Sequence, residues 1–269
     1  MGKRAYLLLL LLPISLLLAK PRTKGFSLDK ITGSHRYDSR YDHPPHCDLT
    51  PILSQNYHYL GSGKECYAFS SEDEKYVIKF FKQKHISLKP WQKALPFLFK
   101  EKVRRRLALR ESTFQSYLIA FEIIPHLTHV IYLHLNQTDH LNPKLTLTDQ
   151  NNTPFTLNLN EMEFLIQRRA QPLLMALKDR PERSYIDSIV ELIRQRRALN
   201  IIDDDLNCER NLGILNGKAM SIDIGEFRMG IPPLTLKEEV QAATIDLKSY
   251  LSEHNSEQNQ SLISLIDSL

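Results

Sequence analysis

The sequence is poor in glycine and cysteine, and it lacks a large excess of charge of either sign. Only 9 of its 269 residues are glycine, which excludes collagen-like chains and glycine-rich linker architecture. The three cysteines are odd in number and far apart, so they predict neither a disulfide framework nor a paired-cysteine zinc site. The 35 Lys and Arg residues against 31 Asp and Glu leave a net charge of +4. That charge is too small and too evenly spread to predict a nucleic-acid partner.

Long apolar runs are also scarce, and the one that stands out is residues 5–19. It follows Lys3 and Arg4, has the length of a signal-peptide core, and is short for a bilayer span, which needs about 20 residues. Residues 1–19 therefore predict a signal peptide or a membrane anchor, and the protein is expected to be secreted or membrane-anchored. Basic residues flank both ends of the run, so its topology is left undetermined.

The next stretch, residues 20–54, is polar and has two adjacent prolines, a composition typical of an extended linker. Five residues of metal-ligand type lie close together in it: Asp42, His43, His46, Cys47 and Asp48. Such side chains suit a transition metal. Because both prolines stand between the two histidines, a solvent-exposed loop is the favoured interpretation.

Strands are predicted from residue 55 onward, and they surround a glycine turn. Two short strands flank Gly61-Ser62-Gly63, and a third apolar strand, residues 76–81, contains Lys79. A glycine turn lets backbone N–H groups approach phosphate oxygens. A lysine within an apolar strand is costly to bury unless it meets an anion or a carboxylate. The glycine turn and Lys79 together predict a phosphate-binding site.

A long helical stretch, broken near Pro96, is predicted over about residues 91–124. Glu111 and Glu122 project on nearly the same side of it, since eleven residues make three turns. Further strands are predicted at 130–135, 145–148, 155–159 and 164–167. Both glutamates flank the apolar stripe of this helix.

Residues 184–200 predict an amphipathic helix capped by Ser184. Arg194, Arg196 and Arg197 form its basic end, which suits the helix dipole and a solvated face. The alternative interpretation of these arginines is a site for phosphate or for an acidic partner.

The segment richest in functional side chains is residues 201–227. An acidic run ends at Asp205, Asn211 follows, and a hairpin with the turn Asn216-Gly217 ends at Asp223. Two carboxylates and an amide are thus expected at one end of the hairpin. These oxygen ligands suit Mg²⁺, which takes few protein carboxylates together with substrate phosphates.

These pieces, in this order, resemble the protein-kinase-like superfamily over about residues 57–227. The turn 61–63 is similar to the glycine-rich loop of that family, and Lys79 to its phosphate-contacting lysine. Glu111, or less well Glu122, then stands for the helix carboxylate that pairs with this lysine. The resemblance implies catalytic roles for Asp205, Lys79 and Glu111, nucleotide contacts at Gly61, Ser62, Gly63 and Lys79, and magnesium ligands at Asn211 and Asp223. Residues 200–227 also resemble a family of chlamydial proteins, which implies no function.

Several positions depart from the kinase pattern. Cys66 replaces the third glycine of the loop, and Asp203-Asp204 stand where His-Arg is usual. Only 44 residues follow Gly225, which leaves too little room for the segments that hold a protein substrate. The resemblance therefore implies a non-protein hydroxyl acceptor of unknown identity.

The expected fold is α+β, with a small antiparallel-sheet lobe and a reduced helical lobe. Its expected divisions are residues 1–19, the linker 20–54, a strand-rich lobe 55–167 and a helical lobe 168–269. The expected function is an ATP- and Mg²⁺-dependent phosphotransferase. Two alternatives stay open: a catalytically degraded pseudokinase that binds nucleotide or a partner, and an unrelated secreted or anchored α+β protein.

Overall fold

The computed structural model describes residues 25–33, 37–88, 92, 96–141, 144–254 and 256–268, and in these ranges the chain is a mixed α+β protein. Its strands are β1 Asn56–Ser62, β2 Cys66–Ser71, β3 Tyr76–Phe81, β4 Val130–His134, β5 Lys144–Thr148, β6 Pro154–Asn158, β7 Phe164–Arg168, β8 Gln171–Pro172, β9 Ile201–Asp203, β10 Leu212–Leu215, β11 Lys218–Ser221 and β12 Phe227–Met229. Its α-helices are α1 Thr50–Leu53, α2 Gln83–Ile86, α3 Lys100–Leu118, α4 Pro125–Thr128, α5 Leu173–Asp179, α6 Arg183–Ala198, α7 Cys208–Asn211, α8 Leu236–Ala243, α9 Ile245–Glu253 and α10 Glu257–Ser268.

The predicted signal or anchor segment lies outside the described residues. Among the residues that are described, no helix combines the length and the apolar character needed to cross a membrane.

Seven strands form the main sheet, in the order β4-β7-β3-β2-β1-β5-β6. All neighbours in it are antiparallel except β1 and β5, which run parallel. The predicted hairpins β1–β2 and β5–β6 are both formed. The first turn is residues 63–65 and not the predicted 61–63, because Gly61 and Ser62 belong to β1 and pair with Ala68 and Tyr67, and the second turn is 149–152. In the second of these turns Asn152 has φ 61°, a conformation that asparagine tolerates better than most residues.

Both faces of the main sheet are buried. One face contributes Phe81, Leu133 and Leu165 to a core shared with α3, α6 and the C-terminal helices. The other face packs under a cover that includes Phe26, Ile31, Leu49, Ile52 and Leu53. Tyr41 packs instead on the α3 side, against Phe114. The predicted extended linker therefore contains buried apolar side chains on both sides of the sheet.

The predicted break near Pro96 coincides with a 3₁₀ turn, Pro96–Phe99, which directly precedes α3. The helix ends in a π-helical turn, Ile119–Ile123. In α6 the residue that caps the helix is Glu182, and Ser184 instead donates a hydrogen bond to the Glu182 carboxylate at 2.9 Å. The described C-terminal residues close the fold with the three helices α8, α9 and α10.

The basic end of α6 is not the solvated face predicted for it. Arg196 is 2% exposed and donates to the carboxylates of Asp203, at the end of β9, and Glu239, on α8. Arg197 also donates to Glu239. Only Arg194 matches the prediction, with an exposed pair to Glu191. A buried charge needs such partners, so the arginines join α6, β9 and α8.

The hairpin β10–β11 forms as predicted. Asn216 and Gly217 have φ 51° and 78°, the positive values that a two-residue turn between antiparallel strands requires. Gly213 on β10 is also constrained, since a Cβ there would lie 2.8 Å from the Cβ of Ala170. The Gln167 side chain on β7 donates to the carbonyl of Ser221 at 2.8 Å, which ties the main sheet to this hairpin.

Candidate functional site

Lys79 connects the main sheet to the segment after β11. It lies in the middle of β3, opposite Ala68 on β2 and Leu165 on β7, and its ammonium donates to the backbone carbonyl of Ile222. Burial lowers the pKa of Lys79, and the nearby carboxylate of Asp223 partly opposes that shift. The structure therefore brings Lys79 and Asp223 together.

Asn211 links the segment that ends at Asp205 to the segment that contains Asp223. Its side-chain Nδ2 donates to the backbone carbonyl of Asp205 at 2.9 Å. Its own backbone carbonyl accepts from the N–H groups of Ile222 at 2.8 Å and Asp223 at 3.2 Å. Asn211 is 8% exposed, and its donor pairing leaves the amide oxygen Oδ1 as the remaining ligand atom. Asp205, Asn211 and Asp223 thus lie in one region, as expected from the hairpin.

Gly61, near the end of β1, and Gly63, in the turn that follows, have free space above their backbone. A Cβ placed on Gly61 or on Gly63 would meet no atom within 4 Å. Lys82, which follows β3, donates to Ser62 Oγ at 2.7 Å and to the Gly63 carbonyl. Its ammonium also lies 4.5 Å from the centre of the Tyr67 ring. Lys82 therefore fixes the turn, a role that the sequence analysis missed although this lysine stands three residues after Lys79.

The charged residues of the same turn reach the segment that follows Asp223. Lys64 pairs with Glu226 at 2.9 Å. Glu65 lies against Gly225, where a Cβ would come within 2.5 Å of its Oε2 atom. Burial raises the pKa of Glu65 to about 7, and the carboxylates of Asp223 and Glu226 add to this shift. The only sequence signal for Glu65 is its place directly after the glycine turn.

The helix carboxylate expected beside Lys79 is engaged elsewhere. Glu111 accepts from Tyr41 Oη at 2.7 Å and from Arg40 at 3.1 Å. The other candidate, Glu122, pairs with His43 at 3.1 Å. Because residues from the predicted linker take both glutamates, the expected pair of Glu111 with Lys79 is not formed in this structure.

Helix α3 nevertheless contacts the site, through a serine. Ser116 is 1% exposed; its hydroxyl donates to the Ile224 carbonyl at 2.5 Å and accepts from the Phe227 N–H at 2.6 Å. The hydroxyl fixes both sides of Gly225 to the helix.

The metal cluster considered for residues 42–48 is not formed. His43 contacts Glu122, and the ring of His46 stacks on Phe121 at 5.4 Å. In the described part of the chain, no three His, Cys, Asp or Glu side chains are grouped to hold a metal ion. Asn211 and Asp223 supply one amide and one exposed carboxylate, which is the sparse ligand set that Mg²⁺ shares with phosphates.

No protein-family model and no curated protein matches this chain. The site is therefore interpreted from its chemistry. Lys79 lies near Asp223, Asn211 bonds to the backbone of Asp205 and Asp223, and Lys64 links the turn after β1 to Glu226. An ammonium, an amide and carboxylates of this kind can bind a polyanion together with a divalent cation.

Proposed function

We propose that the protein is an ATP- and Mg²⁺-dependent phosphotransferase of the protein-kinase-like superfamily, acting on a non-protein hydroxyl acceptor. The observation that carries the proposal is the convergence of Lys79, Asp205, Asn211 and Asp223 described above. The antiparallel strands β1, β2, β3, β7 and β4 with α3, followed by a mostly helical second half, support the two-lobed form of this fold.

The residues fit the implied nucleotide and metal. The space above Gly61 and Gly63 can accept phosphates close to the backbone, and Lys79 supplies positive charge beside them. The free oxygen of Asn211 and the carboxylate of Asp223 would hold Mg²⁺, which supplies neutralisation of phosphate charge. Asp205 would orient the acceptor hydroxyl. Positioning and charge neutralisation account for most of the catalysis in this reaction class.

Nucleotide binding is tested by thermal unfolding of the full chain with and without Mg·ATP. A ligand at 100 times its Kd stabilises the folded state by about 2.7 kcal/mol, which raises Tm measurably. Lys79→Ala and Asp223→Ala are expected to abolish the shift. Lys75→Ala, at an exposed lysine directly before the same strand, is the matched control and is expected to retain it. Absence of a shift with any nucleotide would refute the proposal.

A pseudokinase that only binds nucleotide is the second candidate, and two contacts favour it. The Glu65 carboxylate occupies space beside Gly225, and Glu111 is held by Arg40 instead of Lys79. Asp205→Ala separates the two candidates, since it leaves Lys79, Asn211 and Asp223 in place. If phosphate transfer to a broad panel of hydroxyl acceptors is detected and this variant loses it while still binding nucleotide, the phosphotransferase is supported. Nucleotide binding with no transfer to any acceptor supports the pseudokinase.

The remaining alternative, an unrelated secreted or anchored α+β protein, predicts no nucleotide binding at all. The same thermal measurement therefore distinguishes it from both kinase-like candidates.

A further inference from the structure

A cavity of about 330 Å³ lies between α3 and residues 225–229. Pockets of roughly 300–1,000 Å³ are the usual size for small-molecule sites. Its walls are mainly apolar, with Leu109 and Ile119 on the helix side and Phe227 and Met229 on the opposite side. Its lining includes none of the residues assigned above to nucleotide, metal or catalysis, but Glu65 and Gly225 place it directly beside Asp223.

Most charged side chains around the cavity already have partners. Asp204 pairs with Arg228 at 2.6 Å, and Glu226 pairs with Lys64 at 2.9 Å. Glu65 is only partly satisfied: its carboxylate has a hydrogen bond with Tyr117, but its Oε2 atom is shielded from solvent and accepts no hydrogen bond from the described residues. An unsatisfied buried polar atom in a folded protein calls for a missing partner.

The local sequence makes room for this carboxylate. Any side chain at position 225 would collide with Glu65, because a Cβ there would lie 2.5 Å from Oε2. The carboxylate therefore stands at the edge of an apolar cavity with its neighbouring charges paired among themselves. A complementary ligand would bring one cationic hydrogen-bond donor and a small apolar body.

We propose that this cavity is a binding site for a small organic amine, with Glu65 accepting a hydrogen bond from the ammonium group and the apolar walls covering the carbon skeleton. This inference does not depend on the proposed function, because the ligand needs neither nucleotide nor metal. Residues 225–229 belong both to this cavity and to the segment that follows Asp223, so an occupant would contact the candidate site from the helix side.

The test uses ethylamine, butylamine and benzylamine, each beside the corresponding alcohol, in NMR titrations of the full chain without nucleotide. At least one amine is expected to bind saturably and at least tenfold tighter than its alcohol. Glu65→Gln is expected to weaken that amine at least tenfold and to remove the preference. Glu72→Gln, at an exposed glutamate six residues after β2 begins, is the matched control and is expected to bind as wild type.

A second variant tests the cavity without changing the charge of Glu65. Ser112 is exposed on α3 and lines the cavity, so Ser112→Phe is expected to fill the cavity and block the amine without lowering Tm. Three outcomes would overturn the proposal: no saturable binding of any amine, equal binding of amine and alcohol, or unchanged binding in Glu65→Gln. Binding of Mg²⁺ alone that depends on Glu65, with no amine bound, would also overturn it. Each outcome leaves the Mg·ATP measurement unaffected.

Discussion

Two groups of buried charged residues in this protein differ in whether their charges pair with opposite charges of the protein. At the end of α6, Arg196 contacts two carboxylates, Asp203 and Glu239, with both acids and the arginine almost fully buried. In the candidate site, the ammonium of Lys79 bonds to a neutral carbonyl, and Glu65 has an oxygen with no partner. In the first group opposite charges pair directly, although Arg196 Nε has no partner among the described residues. In the second group neither Lys79 nor Glu65 forms an ion pair within the part of the chain that the structure describes.

The difference separates a structural role from a ligand-binding role. A buried charge whose partners are all protein groups stabilises one arrangement of the elements that carry them. A charge left without a protein partner costs free energy in the empty protein, and that cost is recovered when a ligand supplies the partner. The comparison predicts that substitutions in the first group unfold the protein, while those in the second group change binding.

The largest effect on stability is expected for Arg196→Met. The change leaves the buried carboxylate of Glu239 without one of its arginines, and breaking a buried pair costs about 3–5 kcal/mol. Urea denaturation measures it. Arg194→Met on the same helix removes only an exposed pair with Glu191 and is expected to change stability by no more than about 0.5 kcal/mol. Equal losses in the two variants would contradict the comparison.

Ser116→Ala is expected to cost about 1–3 kcal/mol, because it leaves the buried N–H of Phe227 and the carbonyl of Ile224 without their partner. Hydrogen exchange of the Phe227 amide should accelerate in parallel. Ser112→Ala, on the exposed side of the same helix, is the control. A loss no larger than that of the control would show that the hydroxyl does not fix this segment.

Glu65 should make stability depend on pH. Its pKa is raised from 4.5 to about 7 in the folded protein, so the folded state holds a proton that the unfolded state has lost. The contribution is therefore present below pH 4.5 and disappears as pH rises through 7. In Glu65→Gln the loss of stability between pH 5 and 8 should be smaller by about 1 kcal/mol, once solvent screening is allowed for. If the stability of wild type and of Glu65→Gln depends on pH in the same way, Glu65 does not have the raised pKa expected here.

Lys79→Met is expected to have the smallest effect on stability, within about 1 kcal/mol, because the lost hydrogen bond is offset by removal of a desolvated charge. The same variant should lose nucleotide binding completely. A large loss of stability, measured beside Arg196→Met, would place Lys79 in the structural group and break the comparison.

The paired strands were predictable because their signals are local. The glycine turn between β1 and β2, the Asn216-Gly217 hairpin and the apolar strand around Lys79 each follow from turn chemistry and alternation within a few residues. Their chain order was enough to expect Asp205, Asn211 and Asp223 at one end of the hairpin.

Other features depend on contacts between distant segments. Helical spacing places Glu111 and Glu122 on one side of α3, but it does not say what lies opposite. Arg40, 71 residues away from Glu111 in the sequence, takes that carboxylate. The buried setting of Arg196 depends on Glu239, 43 residues further along the chain.

The sequence by itself determined the mixed α and β character, most of the strands, and the residue types that carry the candidate chemistry. Their periodicity and turn residues act over one or two turns of chain, where propensity and local hydrogen bonding decide the conformation. Only the tertiary structure decided which charges are compensated. Compensation requires two groups from separate elements to approach within about 3 Å, and no local pattern encodes that distance. In the tertiary structure Arg196 pairs with carboxylates from other elements of the fold, whereas Lys79 and Glu65 lie where ligands are proposed to bind.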